Sequence, residues 1–195
     1  MGLDMYLNKA KRIGEVTANE LLALDNYFSY VTRPNKYRDS TPKSWCGLDM
    51  KDVNLDLSEY YITEYTHKYS DWDIEKKHGY KTIFEEIGYW RKANSIHNWF
   101  VNNIQNGVDN CGIYEVTKEQ LEDLLSVCKE VLNGSKVKGK SVAEELLPTK
   151  SGFFFGGTDY DKWYYEDVEH TIKIIENALN TTDFEHEIIM YHSSW

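Results

Sequence analysis

Residues 89–100, Tyr89-Trp90-Arg91-Lys92-Ala93-Asn94-Ser95-Ile96-His97-Asn98-Trp99-Phe100, constrain the fold more than any other stretch of the chain. At helical spacing Ala93, Ile96, Phe100 and Ile104 line up as an apolar stripe. Trp90, Asn94, His97 and Val101 form a mixed stripe beside it. The spacing predicts a helix from about Trp90 to Ile104, stopped by Asn106-Gly107. A solvent-facing helix fills its polar positions with Glu and Lys. This one places Asn and His beside its buried face, as a helix lining a polar pocket would. The plainer alternative is that the aromatics build the core and the polar groups satisfy buried backbone. Residue pattern leaves both open.

The rest of the chain bounds what such a helix can belong to. At 195 residues it suits a single compact domain, 1–195, with a sizeable core. The net charge of −10 is uneven: residues 1–97 carry 14 Lys/Arg against 15 Asp/Glu, and residues 98–195 carry 8 against 17. A general nucleic-acid binder needs a basic field, and none is present. All four arginines, Arg12, Arg33, Arg38 and Arg91, lie in the first half, where they can hold a phosphate locally. Cys46, Cys111 and Cys128 share no Cys-x-x-Cys spacing and read as free thiols in a reducing cytosol. Residues 1–7 lack the pattern of a secretion signal, and no apolar run is long enough to span a membrane. The expected setting is cytoplasmic.

In chain order, Leu3–Leu7 reads as a strand, and Thr17 or Asn19 caps a helix running through Tyr30. Arg33-Pro34-Asn35-Lys36-Tyr37-Arg38 is a basic turn whose two arginines are candidate forks for an anion. Val53, Leu55 and Leu57 alternate, as do Tyr61, Thr63 and Tyr65, which suggests short strands; Asp71-Trp72-Asp73 and His78-Gly79 read as turns. Asp49, Asp52, Asp71 and Asp73 lack the spacing of a calcium loop, and His186 and His192 have no third ligand, so no metal site is assigned. Ile113–Val116 is a short strand. Thr117-Lys118-Glu119-Gln120 is a capping box opening a helix that ends at Asn133-Gly134. Ser141–Leu147 is a short helix stopped by Pro148. A long helix runs from about Tyr160 to Leu179 on the stripe Tyr164, Val168, Ile172, Ile175 and Leu179. Glu187–His192 is a final strand. Strands and helices without regular βαβ alternation predict an α+β fold, three or four main helices on a small, mostly antiparallel sheet.

The second unusual stretch is Ser151-Gly152-Phe153-Phe154-Phe155-Gly156-Gly157-Thr158, with Thr158 and Asp159 as caps of the following helix. Backbone amides at a glycine turn feeding a helix N-terminus can hold an anion. No P-loop pattern follows, no nucleophile signature surrounds Ser151, Cys111 or His97, and no cofactor motif is present. The candidate ligand-binding set is therefore Trp90, Arg91, Lys92, Asn94, His97, Trp99, Ser151, Gly156, Gly157 and Thr158, with Arg33 and Arg38 as further anion contacts.

Four segments carry a resemblance: Gly2-Leu3-Asp4-Met5-Tyr6-Leu7, the block from Tyr89 to Phe100, the turn from Ser151 to Thr158, and Ser193-Ser194-Trp195. Together they resemble a family of small bacteriophage and prophage proteins, mostly without assigned function. The resemblance implies a host-cytoplasm setting and an accessory role during infection, such as sequestering a nucleotide signal or binding a host defence protein. Three functions follow as expectations. The first is binding of a small phosphorylated, nucleotide-like ligand. The second is inhibition of a host protein through the acidic C-terminal half. The third is hydrolysis of a nucleotide-like substrate with His97 as base.

Overall fold

The computed structural model describes residues 2–14, 16–31, 61–65, 77–80, 83–138 and 141–195. The chain forms two compact units, one of Met1–Arg12 with Phe84–Trp195, the other of Ile13–Ile83. The fold is α+β, as its periodicities predict.

The larger unit is organised on an antiparallel sheet. β1 (Asp4–Lys11) lies between β4 (Glu85–Arg91) and β6 (Glu187–Ser194), and β5 (Tyr114–Val116) extends the β6 edge. β1 pairs with β6 over its whole length, from Asp4 opposite Ser194 to Lys11 opposite Glu187. Its alternation puts Leu3, Met5 and Leu7 on one face, all fully buried. The pairing with β4 shifts register between Leu7 and Asn8, a bulge next to Gly88.

The helices of this unit are α2 (Asn94–Asn103), α3 (Lys118–Lys138), α4 (Ser141–Leu146) and α5 (Lys162–Thr181). α5 buries Tyr164, Val168, Thr171, Ile174, Ile175 and Ala178. It packs directly on β4, where Gly88 makes room: a Cβ there would lie 2.4 Å from Ile174 Cγ2. The Trp90 indole N–H, buried beneath α5, donates to Thr171 Oγ1 at 2.9 Å.

α3 starts at its capping box. Gln120 N donates to Thr117 Oγ1 at 3.3 Å and Thr117 N to Gln120 Oε1 at 2.9 Å. It runs past the expected stop at Asn133-Gly134. Gly134 serves close helix contact there, since a Cβ would meet the Val142 side chain of α4 at 2.8 Å.

The organising stretch is two elements rather than one. Tyr89, Trp90 and Arg91 finish β4, and the helix begins only at Asn94. Lys92, at φ 62°, turns the chain between them, its N–H donating to Leu3 O at 2.8 Å. Trp90 satisfies a period of two as well as one of 3.6, which is why spacing alone misplaces it.

α5 likewise starts later than expected. Its cap is Asp161, whose Oδ1 accepts from Trp163 N (2.9 Å) and Tyr164 N (3.2 Å), in place of Thr158 or Asp159. His170 bonds the Tyr89 carbonyl at 3.0 Å, and Lys162 pairs with Glu166 one turn along the helix at 3.3 Å.

The smaller unit contains α1 (Ala18–Val31), β2 (Tyr61–Tyr65) and β3 (Lys77–Tyr80). Thr17, rather than Asn19, caps α1 in a reciprocal box with Glu20. β2 and β3 pair antiparallel, so His78-Gly79 is strand rather than turn. The alternation at 53–57, the basic turn with Arg33 and Arg38, Cys46, and Asp49, Asp52, Asp71 and Asp73 lie outside the described residues.

The tight β4–α5 contact gives a direct test. Gly88→Ala should lower stability by about 1–3 kcal/mol through forced repacking of Ile174. Gly157→Ala, with nothing within 4 Å of the added methyl, should change it by less than about 0.5 kcal/mol. Urea midpoints with unchanged slopes read both; equal effects at the two positions would contradict this packing.

Candidate functional site

One side-chain amide joins the two unusual stretches of the sequence. Asn94, buried at the first turn of α2, donates through Nδ2 to Phe155 O (3.1 Å) and Gly157 O (2.7 Å). Its Oδ1 accepts from Lys150 N at 3.0 Å. Both Nδ2 hydrogens and one acceptor site of Oδ1 are thus spent on backbone, and the 150–157 turn is closed around the amide. Gly156 sits at φ 94°, and a Cβ there would press on Lys92 Cβ and O at 3.2 Å, so only glycine fits. Thr149 Oγ1 reaches Thr158 O at 3.0 Å and closes the base of the turn.

Between this turn, the end of β4 and the first turns of α5 lies a cleft of ≈ 370 Å³. Arg91, Lys92, Gly156, Gly157, Asp159, Asp161, Asp167, Trp163 and Tyr164 are among its lining residues. Its charges are arranged unusually. Asp161 is committed to capping α5, so that helix N-terminus is already occupied by a carboxylate. Arg91, Lys92, Asp159 and Asp167, by contrast, have no ion-pair or side-chain hydrogen-bond partner among the described residues. Trp163 is 71% exposed at the rim, with Lys162 Nζ 5.8 Å from its ring centroid.

The candidate set from sequence divides clearly. Arg91, Lys92, Asn94, Gly156 and Gly157 come together in the cleft, although Asn94 acts on the turn and has no atom left to orient a ligand. Trp90 and Trp99 are buried in the core and offer no stacking face. Ser151 and Thr158 are exposed on the turn outside the lining.

His97 is fully buried. Its Nδ1 meets Tyr191 OH at 2.7 Å and its Nε2 meets Asp109 Oδ2 at 3.0 Å. A carboxylate only accepts, so Nε2 carries the proton and Nδ1 accepts from the tyrosine. Burial pushes the imidazole pKa down, against the pull of Asp109, and keeps it neutral. Asp109 is also held by the Trp195 indole N–H at 3.0 Å. Both ring nitrogens of His97 are thus engaged within the fold.

The sequence reading missed Asp159, Trp163 and above all Asp167. A signal was present. Asp167 falls among Tyr164, Val168 and Thr171 on the buried face of α5, an acidic residue where the stripe calls for an apolar one.

Elsewhere, Asp183, Glu185 and His186 bring donor atoms within 4.8 Å of one another. Asp183 already accepts from His186 Nδ1 and Glu185 N, which accounts for the cluster as a turn. Cys128 lies in the core, its thiol pushed up to about 12 by burial, and Cys111 is exposed. No helix among the described residues is long and apolar enough to cross a membrane.

No protein-family model, curated protein or solved structure matches this chain. The site must be read on its own chemistry.

Two outcomes follow from it. Asn94→Ala strands two carbonyls and one N–H and should cost about 2–4 kcal/mol, with amide exchange accelerated across 150–157; unchanged exchange there would mean the turn holds itself. The second concerns Asp167, whose carboxyl is pushed from 3.8 up to about 6, first by burial and then by Glu166 and Asp161, with His170 opposing. A raised acid keeps its proton more tightly when folded. The cost of ionising it is therefore absent below about pH 4, grows between 4 and 6, and is complete above 6. Asp167→Asn should then raise the melting temperature at pH 7.5 by about 2–4 °C for each kcal/mol relieved, and not at pH 3.5. A loss at pH 7.5 would show that the carboxylate is structurally required.

Proposed function

We propose that the cleft binds a small phosphorylated, nucleotide-like ligand. The observation that supports this is the coexistence, in one concave site, of two cations and two carboxylates without partners among the described residues. Charges left apart in a cleft are stabilised by a ligand that brings a complementary group to each. Arg91 and Lys92 suit phosphate oxygens, Arg91 as a fork and Lys92 as a point charge. Asp159 and Asp167 suit N–H donors on a heterocycle. Trp163 offers that heterocycle an exposed face on which to stack. The volume lies within the range of roughly 300–1,000 Å³ usual for small-ligand sites.

In this reading the anion is held by the side chains of Arg91 and Lys92, beside the open space at Gly157. The α5 N-terminus, filled by Asp161, takes no part. The hydrolase alternative is not carried forward, because His97 has no exposure and neither ring nitrogen is free. The resemblance to phage accessory proteins supplies the setting we propose, sequestration of a nucleotide in the host cytoplasm.

A second reading rests on a different observation. Phe153 is 81% exposed and Phe154 is held at φ 62°, a strained geometry for a bulky residue that buries little. Aromatics presented on a clamped turn suit docking to a host protein, whose basic surface would match the acidic C-terminal half.

Native mass spectrometry of the purified protein, followed by denaturing release, should yield a nucleotide-sized mass. Arg91→Ala should weaken binding of that nucleotide about 10-fold or more, with an unchanged melting temperature because Arg91 is exposed and has no ion-pair partner among the described residues. A ligand-free mass, with no binding of added nucleoside mono-, di- or triphosphates, would overturn the cleft reading. A salt-sensitive protein complex lost in Phe153→Ala/Phe154→Ala would then favour the second.

A further inference from the structure

We propose that Asp167 makes the cleft selective for guanine among the nucleobases, by accepting the two donors of its Watson–Crick edge. The inference rests on the nucleotide reading above and names the ligand class within it.

The three carboxylates of the cleft are not equivalent. Asp161 spends Oδ1 on the backbone of Trp163 and Tyr164. Asp159 is exposed, so water competes for it throughout. Asp167 is half-buried, lines the cleft, and has no hydrogen-bond donor on its carboxylate among the described residues. A carboxylate withdrawn from water with both oxygens open gains most from a ligand that supplies two N–H groups at once.

Position on the helix supplies the geometry. Trp163 and Asp167 are separated by four residues on α5, so they share a face with Cβ atoms about 5–6 Å apart. A base stacked on the indole of Trp163 therefore has its edge within reach of the carboxylate one turn further on. Arg91 and Lys92 line the same cleft from the end of β4, which leaves them for the phosphate.

The edge chemistry then discriminates. Guanine presents N1–H and an exocyclic N2–H side by side, spaced to meet the two oxygens of one carboxylate. Adenine and cytosine each present one amino donor beside a ring-nitrogen acceptor, which faces a carboxylate oxygen unfavourably. Uracil and thymine present one N–H between two carbonyls. Hypoxanthine keeps N1–H and lacks the 2-amino group, so it isolates the second bond. Loss of one partner from such a bidentate pair weakens binding by about 10- to 100-fold.

The test is calorimetric titration of the full chain with GMP, IMP, AMP, CMP and UMP, repeated on Asp167→Asn. The expected order places GMP first and IMP about 10- to 100-fold weaker, with AMP, CMP and UMP weaker than GMP by at least as much. In Asp167→Asn, the carboxamide offers one acceptor and one donor, the complement of the adenine edge. GMP should lose its advantage and AMP should bind at least as well as GMP. Circular dichroism and melting temperature accompany the variant, which is expected to be no less stable than the parent.

Equal binding of all five nucleotides to the parent, or a guanine preference that survives in Asp167→Asn, would overturn the role of Asp167 and leave the nucleotide reading standing. Failure of all five to bind the parent would overturn both.

Discussion

Asn94 is the side chain on which the geometry of the candidate site depends. Its amide is the only polar group that reaches from the first turn of α2 to both arms of the 150–157 turn, with bonds to Phe155 O, Gly157 O and Lys150 N among the described residues. Without it the turn has few bonds of its own, chiefly Phe155 N to Gly152 O at 3.3 Å and the Thr149–Thr158 link. With it, Phe155 is seated edge-on against His97, Gly156 closes over Lys92, and one wall of the cleft is set. A single buried amide of this kind fixes backbone at three points for the ordering of only one side chain.

The polar network behind that wall reinforces it. His97 bridges Tyr191 and Asp109, Phe100 stacks on the Tyr191 ring at 3.8 Å, and Trp195 holds the outer oxygen of Asp109. A fully buried histidine tolerates its location because every polar atom has a partner. The cleft shows the opposite condition: Asp167, Asp159, Arg91 and Lys92 are left unmatched among the described residues. Within one unit, both ring nitrogens of the buried histidine are satisfied, whereas four charged side chains of the cleft have no partner among the described residues. That contrast is the physical basis for treating the cleft, and not the histidine, as the site.

Much of the fold was legible because its signals are local. Thr117 with Gln120 announced one helix start, Thr17 was one of two cap candidates for another, Leu3, Met5 and Leu7 announced an inner strand, and Pro148 closed α4. What was illegible depended on tertiary contact. Trp90 fits two periodicities, and the choice was made by a turn at Lys92 that bonds Leu3 almost ninety residues away. Gly134 looked like a helix stop and proved to be a seat for Val142. In the site, Arg91, Lys92, Gly156 and Gly157 could be nominated from unusual composition. Asp167 could not, because its meaning comes from the cleft it faces; only its place on an apolar stripe hinted at it.

The order of strands also governs when this protein can become itself. β1 is an inner strand of the sheet, yet its full-length partner, β6, follows it in the chain by nearly two hundred residues, as the pairing of Asp4 with Ser194 illustrates. A ribosome delivers β1 first, and its apolar face of Leu3, Met5 and Leu7 then waits through the synthesis of every helix before β6 emerges. At roughly 5–20 residues per second that interval lasts about ten seconds or more. The four-stranded sheet of the larger unit is therefore completed only after synthesis of β6, and for that time β1, with one edge unpaired, is a client for whatever holds nascent chains in the cell.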